Sequence, residues 1–149
     1  MALYEAFHAF HVRGLPDRLR IPERGEEGEI RQALASILNR DDAAIFVAEG
    51  VEGLAGLVEV YRRQDEPSPF RVSYVYGYVQ SLVVAQRWRT QGLGRQLMDA
   101  ARTWAREQGA TQMRLEMWEF AEGPLHFYEK LGYRTIRRTL ALSPSDCTT

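Results

Sequence analysis

The spacing of apolar residues changes period several times along the chain. Leu3, Ala6, Phe7 and Phe10 recur at helical intervals and predict a helix from Ala2 to Val12 that stops near Gly14-Leu15-Pro16. Asp17 to Gly28 is charged and carries Pro22, Gly25 and Gly28, which reads as a loop. Ile30, Ala33, Leu34, Ile37 and Leu38 predict a second amphipathic helix over Glu29 to Leu38. The pattern then turns to strands. Ala43 to Ala48 and Leu54 to Tyr61 are apolar runs on either side of the turn Glu49-Gly50-Val51-Glu52-Gly53, a hairpin. Val72 to Val84 predicts a long strand, in which Gly77 marks a bend or a bulge. A helix from Gly92 to Gln108 carries the stripe Leu93, Leu97, Met98, Ala101, Trp104 and Ala105 and stops at Gly109. Met113 to Met117 reads as a strand. Pro124 opens a short helix with Leu125, Phe127, Tyr128 and Leu131, ending at Gly132. Tyr133 to Leu142 returns to strand.

A strand-helix-strand unit needs a crossover, so the strands flanking the Gly92 helix are expected to be parallel neighbours. The hairpin before it is antiparallel. The expected fold is α/β, with a mixed, mostly antiparallel sheet flanked by helices on both faces. Residues 1–142 read as one domain and residues 143–149 as a polar tail.

Composition narrows the function classes. The chain has 149 residues, 45% hydrophobic and 26% charged, enough to bury a core unaided. Its formal charge of -1 argues against a broad nucleic-acid partner, which favours a basic surplus. No run approaches the ~20 apolar residues of a membrane span, and the acidic start is unlike a signal peptide, so no membrane role and a cytoplasmic location are expected. The single cysteine, Cys147, lies in the polar tail and offers neither an internal disulfide nor a placed nucleophile. His8 and His11 share a helical face but lack a third ligand, so no metal is expected.

The strongest chemical signal is Leu82-Val83-Val84-Ala85-Gln86-Arg87-Trp88-Arg89-Thr90-Gln91-Gly92-Leu93-Gly94-Arg95. A strand enters a polar loop and two glycines open a helix. Helix-start amides lack internal partners and carry partial positive charge, and glycines let a phosphate approach the backbone. Arg89 and Arg95 add charge. This suits a pyrophosphate. Gly94-Arg95-Gln96 lacks the Lys-Ser/Thr of a P-loop, and Leu97 stands where a dinucleotide fingerprint needs Gly or Ala. A plain tight strand-helix turn is the other reading. The second signal is Phe127-Tyr128-Glu129-Lys130-Leu131-Gly132-Tyr133, whose aromatics also suit a core.

The two signals together resemble a known family. Arg89-Thr90-Gln91-Gly92-Leu93-Gly94 fits Arg/Gln-x-x-Gly-x-Gly/Ala, and Ala121 to Tyr133 aligns with Asn-x-x-Ala-x-x-Phe-Tyr-x-x-x-Gly-Phe/Tyr. These are similar to the pyrophosphate motif and the later strand-helix motif of GCN5-related N-acetyltransferases (GNAT). The resemblance covers roughly Tyr78 to Leu142. It implies acetyl-CoA as donor and a small-molecule or peptide amine as acceptor. It implies that amides of Gln91, Gly92, Leu93, Gly94 and Arg95, with Arg89 and Thr90 beside them, hold the pyrophosphate. A bulged, splayed strand would offer Leu82, Val83 and Val84 to the pantetheine arm and thioester. Tyr128 would protonate the leaving thiolate. Amine attack then needs no covalent enzyme intermediate.

Some positions depart from the pattern. Ala121 replaces the Asn and cannot donate from its side chain, Pro124 replaces the Ala, and Thr90 stands where Gly is common. The general base is not legible. Gln80 and Ser81 precede Leu82 where an acid would serve. Glu59, Glu116 and Glu119 are the candidates, and each also reads as a solvated or salt-bridged acid. Trp118 and Phe120 either wall the acceptor pocket or pack as core. The usual first strand is not seen. A non-catalytic acyl-CoA sensor and an unrelated phosphate-binding α/β domain are the competing readings. The edge expected at Thr135 to Leu142, with the family's habit, suggests a homodimer.

Overall fold

Every residue from Ala55 to Val60 is buried, so this strand is covered on both faces. The computed structural model describes residues 2–146 and shows what covers it. Its elements are α1 (Ala2–Gly14), α2 (Glu27–Ile37), β1 (Ala43–Gly50), β2 (Gly53–Gln64), β3 (Val75–Val84), α3 (Leu93–Glu107), β4 (Gln112–Leu115) and α4 (Leu125–Lys130), with short 3-10 turns at Gln86–Trp88 and Pro144–Asp146. The strands lie in the order β1-β2-β3-β4. The first two pairings are antiparallel and β3–β4 is parallel, as the crossover through α3 requires.

One face of the sheet meets the apolar stripe of α3. Val58, Val60 and Val79 pack there with Leu97, Met98, Ala101 and Tyr128. Gly77 belongs to this contact. It pairs regularly with Arg62, and a Cβ on it would stand 2.6 Å from both Ala105 Cβ and Met113 Sδ. The glycine expected to mark a bend instead lets α3 and β4 approach β3 closely. The bulge lies three residues on. Glu59 pairs with Ser81 and Val60 with Val79, which leaves Gln80 unpaired.

The opposite face lies under α1, whose Tyr4 reaches Glu59 on β2. α1 has no buried residue. It docks through rings, with Phe10 and His11 centroids 5.5 and 5.9 Å from Phe120. Gly14 faces the same ring. Phe120 is therefore an anchor for α1. His8 and His11 hydrogen-bond the carbonyls of Arg20 and Phe7.

The strand expected over Tyr133 to Leu142 does not form. Ile136, Leu140 and Leu142 are 81%, 89% and 70% exposed. Alternating apolar residues make a strand only where a partner backbone accepts the ladder. Here the segment is tied instead by side chains, Arg137 to Glu116 and Arg138 to Glu119. The edge invoked for dimerisation is thus absent from that segment. Cys147 lies outside the described residues.

Candidate functional site

The ends of β3, α3 and α4 converge. β4 accompanies β3 only from Tyr76 to Val79 and stops at Leu115. Leu82, Val83 and Val84 continue alone on that side, paired only to Val58, Leu57 and Gly56 of β2. The bulge at Gln80 falls where the two strands part. A stretch of backbone is left open to an extended ligand.

β3 runs into the loop that opens α3. Gly92 is the N-cap, with φ +84°, and has no side-chain cap. A Cβ added there meets nothing within 4 Å, so the approach to the first amides is clear. Leu93, Gly94 and Arg95 present N–H groups that no intrahelical carbonyl can reach. The first bond of the helix is donated by Gln96 to Gly92 O, at 3.1 Å. Thr90 adopts φ +63°, and its hydroxyl donates to Arg89 O at 2.6 Å. Arg89 turns back to the strand: its Nε donates to Val84 O at 3.1 Å, and its guanidinium lies 5.7 Å from the Phe10 ring centre. Arg95 is exposed.

The Phe-Tyr motif is built by a helix cap. Tyr133 N–H donates to Tyr128 O and Gly132 N–H to Glu129 O, with Gly132 at φ +92°. This is a Schellman closure, and the Tyr128 and Tyr133 rings, 5.8 Å apart, supply its apolar contact. Tyr128 is 9% exposed within the core cluster. Burial, and then the neighbouring Tyr133, pushes its phenol up to about 12. Phe127 sits edge-on to it at 5.1 Å and faces Gly94.

The remaining predicted residues divide. Glu119 and Ala121 line one cleft of ≈ 460 Å³ with Phe120, Leu125 and His126. Glu116 and Glu119 are both exposed and lie 3.7 and 3.3 Å from Arg137 and Arg138. Trp118 is 47% exposed. Glu59 is different: 5% exposed and outside every ion pair among the described residues. Two features escaped the sequence. Arg87 pairs with Glu52 of the β1–β2 turn, beside the packing of Gly50 on Trp88. Tyr4 and Tyr61 both donate to Glu59. Only the lone acid in an apolar strand hinted at the second.

This arrangement of a split parallel strand pair, a glycine-opened helix and a capped Phe-Tyr helix suits an acyltransferase. Residues 41–135, more than half the chain, match the acetyltransferase (GNAT) domain family, and the chain belongs to it. No curated protein matches the sequence significantly. Among solved structures, a mutant BH1408 protein from Bacillus halodurans superposes with a TM-score of 0.83 at 20% identity, covering 95% of this chain and 89% of that one. The aminoglycoside antibiotic 6'-N-acetyltransferase AAC(6')-IG from Acinetobacter haemolyticus gives 0.68 at 16% identity, covering 81% and 83%. Aminoglycoside N-acetyltransferase AAC(6')-Iy in complex with CoA gives 0.64 at 20%, covering 80% and 91%. These likenesses establish the fold. Family membership makes the chain an acyl-CoA-dependent N-acetyltransferase in general terms. No helix among the described residues is long and apolar enough to cross a membrane.

Proposed function

We propose that the chain transfers acetyl from acetyl-CoA to a primary amine by direct attack in a ternary complex. The observation that carries this is the parting of β3 from β4 after Val79, which opens Leu82 to Val84 toward the start of α3. The pyrophosphate is assigned to the amides of Gln91 to Arg95, where Gly92 leaves room. Thr90 shapes the entry, and Arg89 steadies the Val84 carbonyl while adding positive charge. The pantetheine arm and thioester are assigned to the backbone of Leu82, Val83 and Val84, whose amides would stabilise an oxyanion. Ala121, in its cleft with Glu119, borders the cofactor without donating to it.

Tyr128 is assigned as the acid. Its phenol stays protonated throughout the neutral range, so it is a donor whenever a thiolate must be quenched. Glu116 and Glu119, exposed beyond the end of β4, are candidates for the base that deprotonates the amine, directly or through water. AAC(6')-Iy has been solved in complex with the bisubstrate analog CoA-S-monomethyl-acetylneamine, which supports an amine acceptor here. Homodimer assembly and a cytoplasmic location complete the proposal. The dimer rests on the exposed Ile136, Leu140 and Leu142.

Two measurements test the reading. Calorimetry with acetyl-CoA should show binding, and thiol release over an amine panel should show turnover with at least one acceptor. Binding without transfer to any amine would replace the enzyme reading by a sensor. A sedimentation mass near the 17.1 kDa monomer at micromolar concentration would remove the dimer.

A further inference from the structure

Glu59 is the one buried charged side chain of the described residues, and it lies beside the bulge rather than away from the chemistry. Its cross-strand partner is Ser81, the residue before Leu82. Paired residues on adjacent strands stand about 4.5–5.5 Å apart and share a face. The carboxylate therefore shares a sheet face with Ser81, one residue from the backbone assigned to the thioester. The rest of its face is phenolic. Tyr61 donates to Oε1 at 2.5 Å and Tyr4 of α1 to Oε2 at 3.3 Å. Arg40 and Arg63 are the cations nearby, and they lie against the Tyr61 ring, each 5.3 Å from its centre, not against the carboxylate.

A buried carboxylate is costly unless a cation or strong donors compensate it. Two neutral phenols solvate this one and leave its charge unbalanced. That is the complement of an alkylammonium. α1, none of whose residues is fully buried, lies over the carboxylate through Tyr4.

We infer that Glu59, framed by Tyr4 and Tyr61, binds the ammonium group of the acceptor and accepts its proton. This rests on the acetyl-transfer reading and specifies its acceptor as a cationic primary amine. The balance is as follows. The ammonium gives one proton to Glu59, and the freed nitrogen lone pair attacks the thioester carbonyl. The C–N bond forms and the C–S bond breaks. The thiolate takes the Tyr128 proton, the second nitrogen proton restores Tyr128 through solvent, and Glu59 releases its proton to water.

The test uses the full chain, with the acceptor found in the amine panel. Glu59→Gln keeps an acceptor oxygen for Tyr61, turns an amide N–H toward the Tyr4 hydroxyl oxygen, which can accept it, and removes the charge. Its kcat/KM should fall by about 10²–10⁴-fold, the range of a lost proton acceptor, with acetyl-CoA affinity and melting temperature nearly unchanged. Turnover within about threefold of the parent would overturn the proposal. If Glu59→Gln does not fold, the parent decides. The acceptor's N,N-dimethyl analogue, still cationic but not a product-forming amine, should inhibit at least about tenfold more tightly than its hydroxyl analogue. Equal inhibition by the two overturns the assignment. A parent that binds acetyl-CoA but transfers to no amine defeats the enzyme reading instead. A generic pair, an N,N-dimethylalkylamine and the alcohol of the same chain length, titrated by calorimetry into the acetyl-CoA complexes of the parent and Glu59→Gln, then decides: a preference for the amine that the variant loses supports the site, and equal binding of the two by the parent overturns it.

Discussion

Gly94 and Phe127 meet across the two motifs. A Cβ on Gly94 would stand 3.1 Å from Phe127 Cζ and 3.2 Å from Cε2, with Val84 Cγ2 at 3.8 Å. The start of α3, the end of β3 and α4 are thereby locked to one geometry, with the Tyr128 ring edge-on to Phe127. The contact is close enough to admit one methyl with small movement of the ring and no more. Gly94→Ala should change stability by under about 1 kcal/mol, because helix propensity offsets the crowding. Gly94→Val should cost about 1–3 kcal/mol by overpacking. Denaturant unfolding measures both. Adding Phe127→Leu should recover much of the Val penalty, and an undiminished penalty in that background would show that the ring is not the obstacle.

Gly92 makes a different demand. Its φ of +84° is left-handed, and no atom crowds the place of its Cβ. Gly92→Asn should fold, since Asn tolerates this backbone better than most residues. Gly92→Asp has the same shape with a charge at the place assigned to the pyrophosphate. Calorimetry should show acetyl-CoA bound at least about tenfold more weakly by Asp than by Asn. Equal affinities would move the pyrophosphate elsewhere.

Thr90 carries strain that the neighbouring glycines avoid. A β-branched residue at φ +63° is costly, by roughly 1–2 kcal/mol for a left-handed backbone. Thr90→Gly removes that cost and loses about 0.5–1 kcal/mol to the freer unfolded chain. The expected net is a gain of about 0.5 kcal/mol, seen as a higher urea midpoint at unchanged slope. A lower midpoint would mean that the Thr90 hydroxyl on Arg89 O outweighs the strain.

The phenols give a pH signature. Burial pushes Tyr61, Tyr128 and Tyr133 up to about 12 from the usual 10. Tyr61 is also raised by its bond to Glu59 and by that carboxylate's charge. Between pH 10 and 12 the native chain keeps protons that the unfolded chain has lost. The stabilisation is therefore complete below pH 10 and drains away as pH rises through 12. For buried Tyr128 the slope is about 1.4 kcal/mol per pH unit. Absorbance titration of the seven tyrosines should show a group ionising well after the exposed ones. A single folded-state transition near pH 10 would contradict the burial.

Most elements were legible because their period was imposed by a single neighbour. α3 shows one stripe to one sheet face, and the β1–β2 hairpin is two apolar runs about one turn. The spacing from Tyr128 to Gly132-Tyr133 was legible for a second reason: a Schellman cap demands it whatever the chemistry. Four features were not. Tyr133 to Leu142 has strand-like composition, but pairing is a property of two segments, and one segment cannot show that its partner stops at Leu115. Gly77 signals either a bulge or close packing, and the sequence does not distinguish them. The bulge itself falls on Gln80, a residue with no bulge preference, because register is set by the facing strand. Glu59 was legible as one of three candidate bases but not as a buried one, since the second cover of its strand, α1, comes from more than forty positions earlier.

Tyr128→Phe is the sharpest test of the chemistry. The residue is 9% exposed, and its ring fills the core beside Val58, Val60 and Leu97. The ring thus has a packing role whatever the hydroxyl does. Among the described residues no hydrogen bond holds that hydroxyl, so deleting it leaves no partner unsatisfied. Stability should change little. If the phenol quenches the thiolate, kcat should fall by about 10²–10⁴-fold while acetyl-CoA affinity holds, since the donor's other contacts are assigned to backbone. A leaving group that needs no proton gives the internal control. An acyl donor with a much less basic thiol should lose far less rate in the variant than acetyl-CoA does. Turnover of acetyl-CoA within about threefold of the parent would leave Tyr128 as packing alone. Equal losses with both donors, or an equal loss in Phe127→Leu, would assign the defect to displaced α4 rather than to a missing proton.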